Sequence, residues 1–256
     1  MRLTRYIQIE SRRQATYERL FAKEVLKAFK KNAEMWIDFN IVGNAVGEAL
    51  EKVYRVTLED YLSRQWDQLD GNVIKKKERF FMPAWSQWIE NYILATLVNK
   101  VVGIDDTTRE LLMQETIAST SIGETRSEFS KRIMNVMGGA AGKRRARVIA
   151  RTEAGNAINI AKAKSAEDWA AQTDIPIGKL WIHRGAKDPR DWHVAMDTGV
   201  EIPKDEPFIV TDPNTGITDR MMYPHDPSAS AGNVINCGCL VIYVRLKTEQ
   251  DGRNNF

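Results

Sequence analysis

The chain has 256 residues, of which 43% are hydrophobic and 28% are charged, and its formal net charge is +3. This length is enough to bury a core, and this composition excludes a wholly disordered protein. No segment approaches the roughly 20 consecutive apolar residues of a membrane-spanning helix, and no apolar run follows the basic start. We therefore expect neither a membrane protein nor a secretory signal. Two cysteines cannot make a disulfide framework, which fits a reducing compartment.

The chain up to about residue 172 has the periodicity of α-helices. The first predicted helix, residues 15–31, carries apolar side chains at intervals of four: Tyr17, Phe21, Val25 and Phe29. Further helices are predicted over residues 33–65, 83–102, 107–118, 124–137 and 141–172. Gly103 is predicted to end the third helix, and Thr107 with Glu110 to form the capping box that opens the fourth. The aromatic stripe of the third helix is expected in the core, the alternative being a stacking platform for bases.

The pattern changes after residue 178, where short strand-like runs alternate with loop signals. A strand is predicted over residues 179–184 and a short helix or turn over 190–196. Residues 200–210 and 234–245 supply further strand material, with loops over 212–216 and 224–232. The sequence therefore predicts an α+β protein, with a mainly helical N-terminal part and a small, loop-rich, mixed α/β C-terminal module.

Positive charge is concentrated at the start of the chain. Residues 1–31 contain nine Lys and Arg but three Glu. The candidate contacts with nucleic acid or a partner protein in this segment are Arg12, Arg13, Lys23, Lys27, Lys30 and Lys31. A second basic group, Lys143, Arg144 and Arg147, opens the long helix. These side chains could meet phosphates or an acidic protein surface, or they could simply form a solvated helix face.

All three histidines and both cysteines lie between His183 and Cys239. Cys237 and Cys239 are two residues apart at the entry to an apolar strand, so an extended chain would turn both thiols to one side. Thiolates are soft ligands, and zinc takes four nitrogen or sulfur donors. Zinc is therefore the candidate metal, with the ligand set His193, His225, Cys237 and Cys239. His183 is the reserve ligand.

Two other interpretations of these residues stay open. Cys237 could be a nucleophile, with His193 as its base and Asn236 or Asp188 to orient the histidine, as in a cysteine hydrolase. Alternatively, the cysteines are small buried hydrophobic residues, and the histidines anchor loops through hydrogen bonds.

Arg151 and Glu153 lie early in the long helix. We expect each to tie this helix to the C-terminal module through buried hydrogen bonds, because the planar guanidinium of an arginine holds two acceptors at once. The alternative for Arg151 is a place in a basic stripe on the surface, with Arg147 one turn and Arg144 two turns before it.

Five short motifs occur in a fixed order between residues 147 and 239. They are Arg-Thr-Glu, Trp181, Asp-x-Arg-x-x-His, Pro-x-Asp-Pro and Asn-Cys-x-Cys. This order resembles the phage head morphogenesis family, the minor head proteins related to phage Mu protein F and to the SPP1 minor head protein. The resemblance implies these motif residues: Arg151, Glu153, Asp188, Arg190, His193, Asn236, Cys237 and Cys239. Gly238 stands where the family usually has Arg, and His225 where it tends to have Gly.

The resemblance covers roughly residues 105–245. It implies a head morphogenesis module over residues 105–245, and the residue pattern predicts a helical arm and bundle over 1–104 and a polar tail over 246–256. The resemblance also implies a structural and assembly protein of a tailed phage or prophage, assembled in the host cytoplasm and carried in the virion, inside the capsid or at the portal vertex. The expected partners are the portal protein, other head proteins and packaged double-stranded DNA. No catalysis, membrane or small-molecule substrate is expected. The alternative is a Cys/His hydrolase or a metal-dependent nuclease that uses His193, Cys237 and Cys239.

Overall fold

The structure is a computed structural model that describes residues 3–71, 82–184 and 189–246. Five helices come first: α1 (Leu3–Phe39), α2 (Ala45–Asp70), α3 (Met82–Ser121), α4 (Arg126–Gly138) and α5 (Ala140–Thr173). Short elements follow: β1 (Ile177–Ile182), α6 (Asp191–Val194), β2 (Ile202–Pro203), β3 (Phe208–Thr211), β4 (Thr218–Met221), α7 (Ala231–Val234) and β5 (Leu240–Arg245). This order confirms the predicted α+β fold class.

Helix α5 lies at the centre of the helical part and packs against α1, α2 and α4. A row of small residues lets these helices approach closely, since its members are fully buried at helical spacing: Ala150, Ala154, Ala157 and Ala161. Large apolar side chains, among them Phe21, Phe29, Tyr54 and Trp169, fill the space around this row. None of the described helices is long and apolar enough to cross a membrane.

Helix α3 runs through the two predicted helix boundaries near residue 103. Gly103 does not end it, and the Thr107 hydroxyl bonds to carbonyls of its own preceding turn instead of capping a new helix. The predicted break and capping box at this place are wrong, because a helix interior tolerates a glycine at a cost of about 1 kcal/mol. A true capping box opens α4, between Thr125 and Glu128. The predicted boundary between residues 104 and 105, which stays a prediction, falls inside α3.

The first two predicted helices also differ from the structure. Helix α1 spans 37 residues and therefore extends beyond the predicted 15–31 in both directions. It ends at Phe39, and α2 begins at Ala45, so the predicted helix over 33–65 is divided between them. Asn40 follows α1 with a left-handed φ of 56°, which turns the chain.

The C-terminal region contains two small antiparallel sheets. The first has the strand order β2–β1–β5, and β1 pairs with β5 over six residues, from Ile177 opposite Arg245 to Ile182 opposite Leu240. The second is the hairpin of β3 and β4. One face of the first sheet belongs to the main core, and the start of α1 covers the other face with Tyr6 and Ile7. The N-terminal helix therefore holds the C-terminal sheet in place.

The predicted strands were found with shifted bounds. Strand β1 begins two residues before the prediction, and the predicted strand material over 234–245 forms a strand only from residue 240. Strand β4, with the sequence Thr-Asp-Arg-Met, was not predicted because it has no apolar alternation. Helix α7 begins inside the predicted loop over 224–232.

Candidate metal centre

Three metal-binding side chains meet in the interior of the C-terminal region. His193 lies on α6, and Cys237 and Cys239 lie in the segment that leads into β5. The Nδ1 atom of His193 is 3.4 Å from Sγ of Cys237 and 3.9 Å from Sγ of Cys239. The ligand atoms of all three residues lie within 4.8 Å of one another, and each residue is only 2% exposed. This group could hold a metal ion.

The local chain path explains why the two sulfur atoms converge. Asn236 adopts a left-handed φ of 58°, which turns the chain just before the cysteines. The backbone N–H of Cys239 then donates to Sγ of Cys237 at 3.3 Å, so the Cys-Gly-Cys segment curls around one sulfur. The pairing of β5 with β1 fixes the end of this segment, because Leu240 lies opposite Ile182. The cysteines are thus positioned by a turn on one side and by a sheet register on the other.

Hydrogen bonds around His193 determine which of its ring nitrogens carries the proton. The indole N–H of Trp192 donates to Oδ1 of Asn233 at 2.8 Å, and Nδ2 of Asn233 donates to the carboxylate of Asp219 at 2.8 Å. Oδ1 of Asn233 is therefore an acceptor, so Nε2 of His193, 3.1 Å away, must be the donor. In neutral His193 this leaves the lone pair of Nδ1 directed at the two sulfur atoms. Metal-ligating histidines are held in this way by a partner on the far nitrogen.

The two thiols have different proton affinities. A hydrogen bond from Cys239 lowers the pKa of Cys237 well below its usual value, and the nearby His225 lowers it further, although burial opposes them. The same bond and burial raise the pKa of Cys239. The site thus already favours negative charge on one sulfur.

His225 lies beside Cys237 but outside the three-residue group. It is fully buried and has a left-handed φ of 65°. Its carbonyl accepts a hydrogen bond from Nδ2 of Asn156 at 2.9 Å, whereas neither ring nitrogen has a hydrogen-bond partner among the described residues. The ring lies over Gly155, where a Cβ atom would be 2.3 Å from Nε2. The reserve ligand His183 is also outside the group, and its backbone N–H donates to Asp197.

Glu153 belongs to a buried polar network inside the helical part. Its Oε2 accepts hydrogen bonds from Tyr54 at 2.6 Å and from Lys100 at 2.7 Å. Its described partners thus lie on α2 and α3, and the prediction that it contacts the C-terminal module is wrong. Asn156, one turn further along α5, makes that contact through the carbonyl of His225. Nothing in the residue pattern distinguished Asn156, because an asparagine in a helix is more often exposed than buried.

Arg151 does connect α5 to the C-terminal module, but at the surface. It donates to Oδ1 of Asn236 at 3.2 Å and lies 3.7 Å from the carboxylate of Glu18 on α1. Its side chain is 38% exposed, so the prediction of a buried bond is wrong, although the predicted target region is correct. The exposure arises because Arg151 lies at the edge where α5 meets both α1 and the module.

Two further arginines hold the segment around the cysteines. Arg190 donates to a backbone carbonyl just before Asn236, at 2.7 Å. Arg184, which sequence reasoning missed, donates to the carbonyl of Gly238 at 3.0 Å and also bonds to Ser11 and Glu18 on α1. The predicted motif residue Asp188 lies outside the described residues.

The predicted basic residues lie on two neighbouring antiparallel helices, α1 and α5. Glu10 pairs with Lys162, Glu18 is close to Arg151, and Phe29 lies under the guanidinium of Arg145. Residues with higher numbers in α1 therefore contact residues with lower numbers in α5, which shows that the two helices are antiparallel. Seven exposed basic side chains on these two helices form the candidate contact surface: Arg12, Arg19, Lys23, Lys30, Lys143, Arg144 and Arg147. We refer to these seven residues as the basic surface.

Three other predicted basic residues are engaged by acids. Arg13 pairs with Glu10 at 2.9 Å and Lys27 with Glu24 at 2.8 Å. Lys31 pairs with Glu48 of α2 at 3.4 Å. Within the described part of the chain, no member of the basic surface forms such an ion pair, so its charge is available to a partner.

Comparisons with known proteins agree with the motif order. The family described as Phage Mu protein F like protein matches residues 111–242, about half of the chain, and this range contains Arg190, His193, Asn236 and both cysteines. The uncharacterized protein YqbB of Bacillus subtilis (strain 168) is 34% identical over 94 residues, which are 36% of this chain and 29% of YqbB. The match thus spans less than a third of that relative. No solved structure matches the chain. The resemblance is confirmed: the chain belongs to the phage Mu protein F-like family, which indicates a phage head morphogenesis protein.

Proposed function

We propose that this chain is a minor head protein of a tailed phage or prophage, which acts as a structural and assembly component of the virion and contacts the portal protein and packaged double-stranded DNA. Family membership supports the place in the head. The observation that carries the DNA contact is the basic surface on α1 and α5.

The distribution of charge on α1 favours a polyanion as the partner. The three glutamates of residues 3–31 are all taken up by cations: Glu10 with Lys162 and Arg13, Glu18 with Arg184 and Arg151, and Glu24 with Lys27 and Lys52. The glutamates of residues 3–31 therefore do not neutralise the basic surface. A solvated face needs no such separation of charges.

The dimensions of the surface also suit a duplex. Arg12, Arg19, Lys23 and Lys30 follow one another at intervals of seven, four and seven residues, so they lie along one face of α1. At 1.5 Å per residue, this row is about 27 Å long. A row of that length would pass the phosphates of about eight base pairs. Arg144 and Arg147 on α5 add two further exposed positive charges.

The experiment is a DNA-binding measurement on the purified chain over a series of salt concentrations. The triple variant Lys23→Gln, Arg144→Gln, Arg147→Gln should bind duplex DNA more weakly for every sequence, with the slope of log affinity against log salt reduced by about three. A matched control, Arg64→Gln, Arg109→Gln, Arg220→Gln, removes three charges elsewhere and should behave like the parent protein. Equal loss in both variants would contradict the basic surface as the contact.

We also propose that the metal held by the His193, Cys237 and Cys239 group is zinc and that its role is structural. Zn–S bonds of about 2.3 Å and Zn–N bonds of about 2.0 Å at tetrahedral angles separate sulfur from nitrogen by about 3.5 Å. The observed distances of 3.4 and 3.9 Å lie on either side of this value. Burial of all three side chains supports a structural role, because a nucleophile must be reached by its substrate.

A chain of this kind needs no catalysis, and we propose that it has none. The DNA-binding experiment also tests the alternative of a metal-dependent nuclease. DNA recovered intact in the presence of zinc or magnesium is the expected result. Cleavage that disappears with His193→Ala would instead favour the enzyme.

A further inference from the structure

We propose that His225 is the fourth zinc ligand, which makes the centre a closed Cys2His2 site, and that Gly155 makes the space for its ring. This inference rests on the zinc site proposed above and names the ligand that completes it.

The first observation is that the His225 ring is buried without hydrogen bonds. The residue has no exposed surface, and neither ring nitrogen has a partner among the described residues. A buried polar group left unpaired costs about 1–3 kcal/mol. The other buried histidine, His193, has its Nε2 fully engaged by Asn233. If the ring only filled a hydrophobic gap, another apolar side chain would serve. Coordination of a metal requires the ring nitrogen of a histidine.

The second observation is the place of the ring. It lies beside Cys237, the sulfur that is also nearest to His193. Its nitrogens are outside the 4.8 Å group, so coordination requires the ring to turn about its Cβ–Cγ bond while it keeps its place over Gly155. Zinc with three protein ligands keeps an open position for water or substrate, while structural zinc sites are closed by a fourth. Because the centre is buried, the imidazole of His225 is the neighbouring group that could supply the fourth ligand atom to zinc.

The third observation is that the backbone around His225 is held firmly in an unfavourable conformation. A left-handed φ is uncommon for a residue other than glycine. The loop is nevertheless fixed on both sides of it, by Asn159 on the carbonyl of Pro224 and by Asn156 on the carbonyl of His225. Asp226 accepts from the backbone of Met222 and Ser228 and closes the loop. Such strain persists where the surrounding structure requires one side chain in one place.

Gly155 completes the arrangement from the side of α5. An added Cβ would lie 2.3 Å from Nε2 and 2.4 Å from Cε1 of His225, far inside van der Waals contact. Glycine costs about 1 kcal/mol in a helix interior, so its presence in the middle of α5 needs a reason, and the ring supplies one. Gly155→Ala therefore displaces the ring while all four proposed ligands remain.

The experiment measures zinc content and zinc affinity of the purified full chain, with Co²⁺ as a spectroscopic substitute that reports four-coordinate geometry. The parent protein should hold about one equivalent of zinc. His225→Ala and Gly155→Ala should each lower the zinc affinity by at least roughly tenfold, the smaller effect known for loss of even an outer-shell partner. His225→Cys should retain tight binding, because Cys is itself a zinc ligand. His183→Ala is the matched control and should leave the affinity unchanged.

The outcomes separate this inference from the site on which it rests. A parent protein that binds no zinc would contradict both the three-residue zinc site and His225 as its fourth ligand. Zinc bound by the parent and equally tightly by His225→Ala, with an unchanged Co²⁺ spectrum, keeps the three-residue site and overturns His225 as its ligand. If His225→Ala does not fold, His225→Cys decides: tight zinc binding supports the inference, and loss of zinc from a folded chain contradicts it.

Discussion

Lys162 shows how one buried side chain joins three elements of the fold. It is 1% exposed, and its Nζ lies 2.7 Å from the carboxylate of Glu10, which is 2% exposed. The ammonium also donates to the carbonyl of Val241 on β5 at 3.4 Å and lies near the rings of Tyr6 and Tyr61. Burial lowers the pKa of Lys162, with Glu10 opposing. Burial raises the pKa of Glu10, but Lys162 and Arg13 together outweigh it, and the net shift is downward.

We expect Glu10→Gln to destabilise the protein by about 3–5 kcal/mol, because it leaves the Lys162 charge buried and unpaired. The double variant Glu10→Gln, Lys162→Met should recover most of this loss, since neither charge remains. Urea unfolding at neutral pH measures both. An exposed pair serves as the control: Asp106→Asn, which removes the partner of Arg109, should cost less than about 1 kcal/mol.

The same pair predicts a pH dependence. The pKa of Glu10 is lower in the folded chain than its ordinary value of 4.5, so its contribution is present above 4.5 and is lost as the pH falls through the folded value. The parent protein should therefore lose more stability on acidification than the double variant does. A parallel fall in both proteins would contradict a role for this pair.

At the scale of elements, the glycines of the long helices differ in what surrounds them. A Cβ added at Gly103, in the middle of α3, would meet nothing within 4 Å. At Gly142, in the first turn of α5, it would lie 2.0 Å from the carbonyl oxygen of Met137. We expect Gly103→Ala to stabilise the protein by about 0.5–1 kcal/mol and Gly142→Ala to destabilise it. Thermal unfolding checks the two signs, and a destabilised Gly103→Ala would show that the helix bends or ends there.

Elements with an unambiguous local pattern could be predicted, and elements decided by tertiary contacts could not. Helix α5 was predicted to within one residue at each end, because small residues recur at helical spacing between Gly139 and Asp174. Near Gly103 the local signals for a helix end were present. The helix nevertheless continues, with buried side chains before and after Gly103, at Leu97 and Leu112. Strand β4 is a strand because β3 pairs with it, which no residue in β4 reveals.

The candidate metal centre was predictable to a similar degree. The spacing of Cys237 and Cys239 and the concentration of histidines led to three residues that do converge. The supports of the site were not predictable, since Asn233, Arg184 and Asn156 act through contacts between segments distant in sequence. The His225 ring occupies the space left by Gly155, which lies 70 positions earlier in the chain. The packing of the His225 loop on α5 brings the two residues together.

At the scale of the whole molecule, the helical part and the C-terminal module are joined by buried polar contacts as well as by apolar packing. The clearest is Asn159 on α5, which has no exposed surface. Its Nδ2 donates to the carbonyl of Pro224 at 2.9 Å, and its Oδ1 accepts from the backbone N–H of Val241 at 3.0 Å. One amide thus holds both the loop that carries His225 and the strand that follows the cysteines.

Asn159→Asp keeps the size of this side chain and removes its donor. The carbonyl of Pro224 would then face a carboxylate oxygen, and one buried acceptor would be unpaired, at a cost of about 1–3 kcal/mol before any cost of burying charge. We expect hydrogen exchange to become faster in β5 and in the loop over 222–230 while α1 and α2 stay protected, because the module should loosen from α5 before the helices open. Asn91→Asp, on the exposed face of α3, makes the same chemical change where water is available and should leave exchange in β5 unaltered. Uniformly faster exchange throughout the chain would instead mean that the helices and the module unfold as one unit, and that Asn159 is not a separate connection between them.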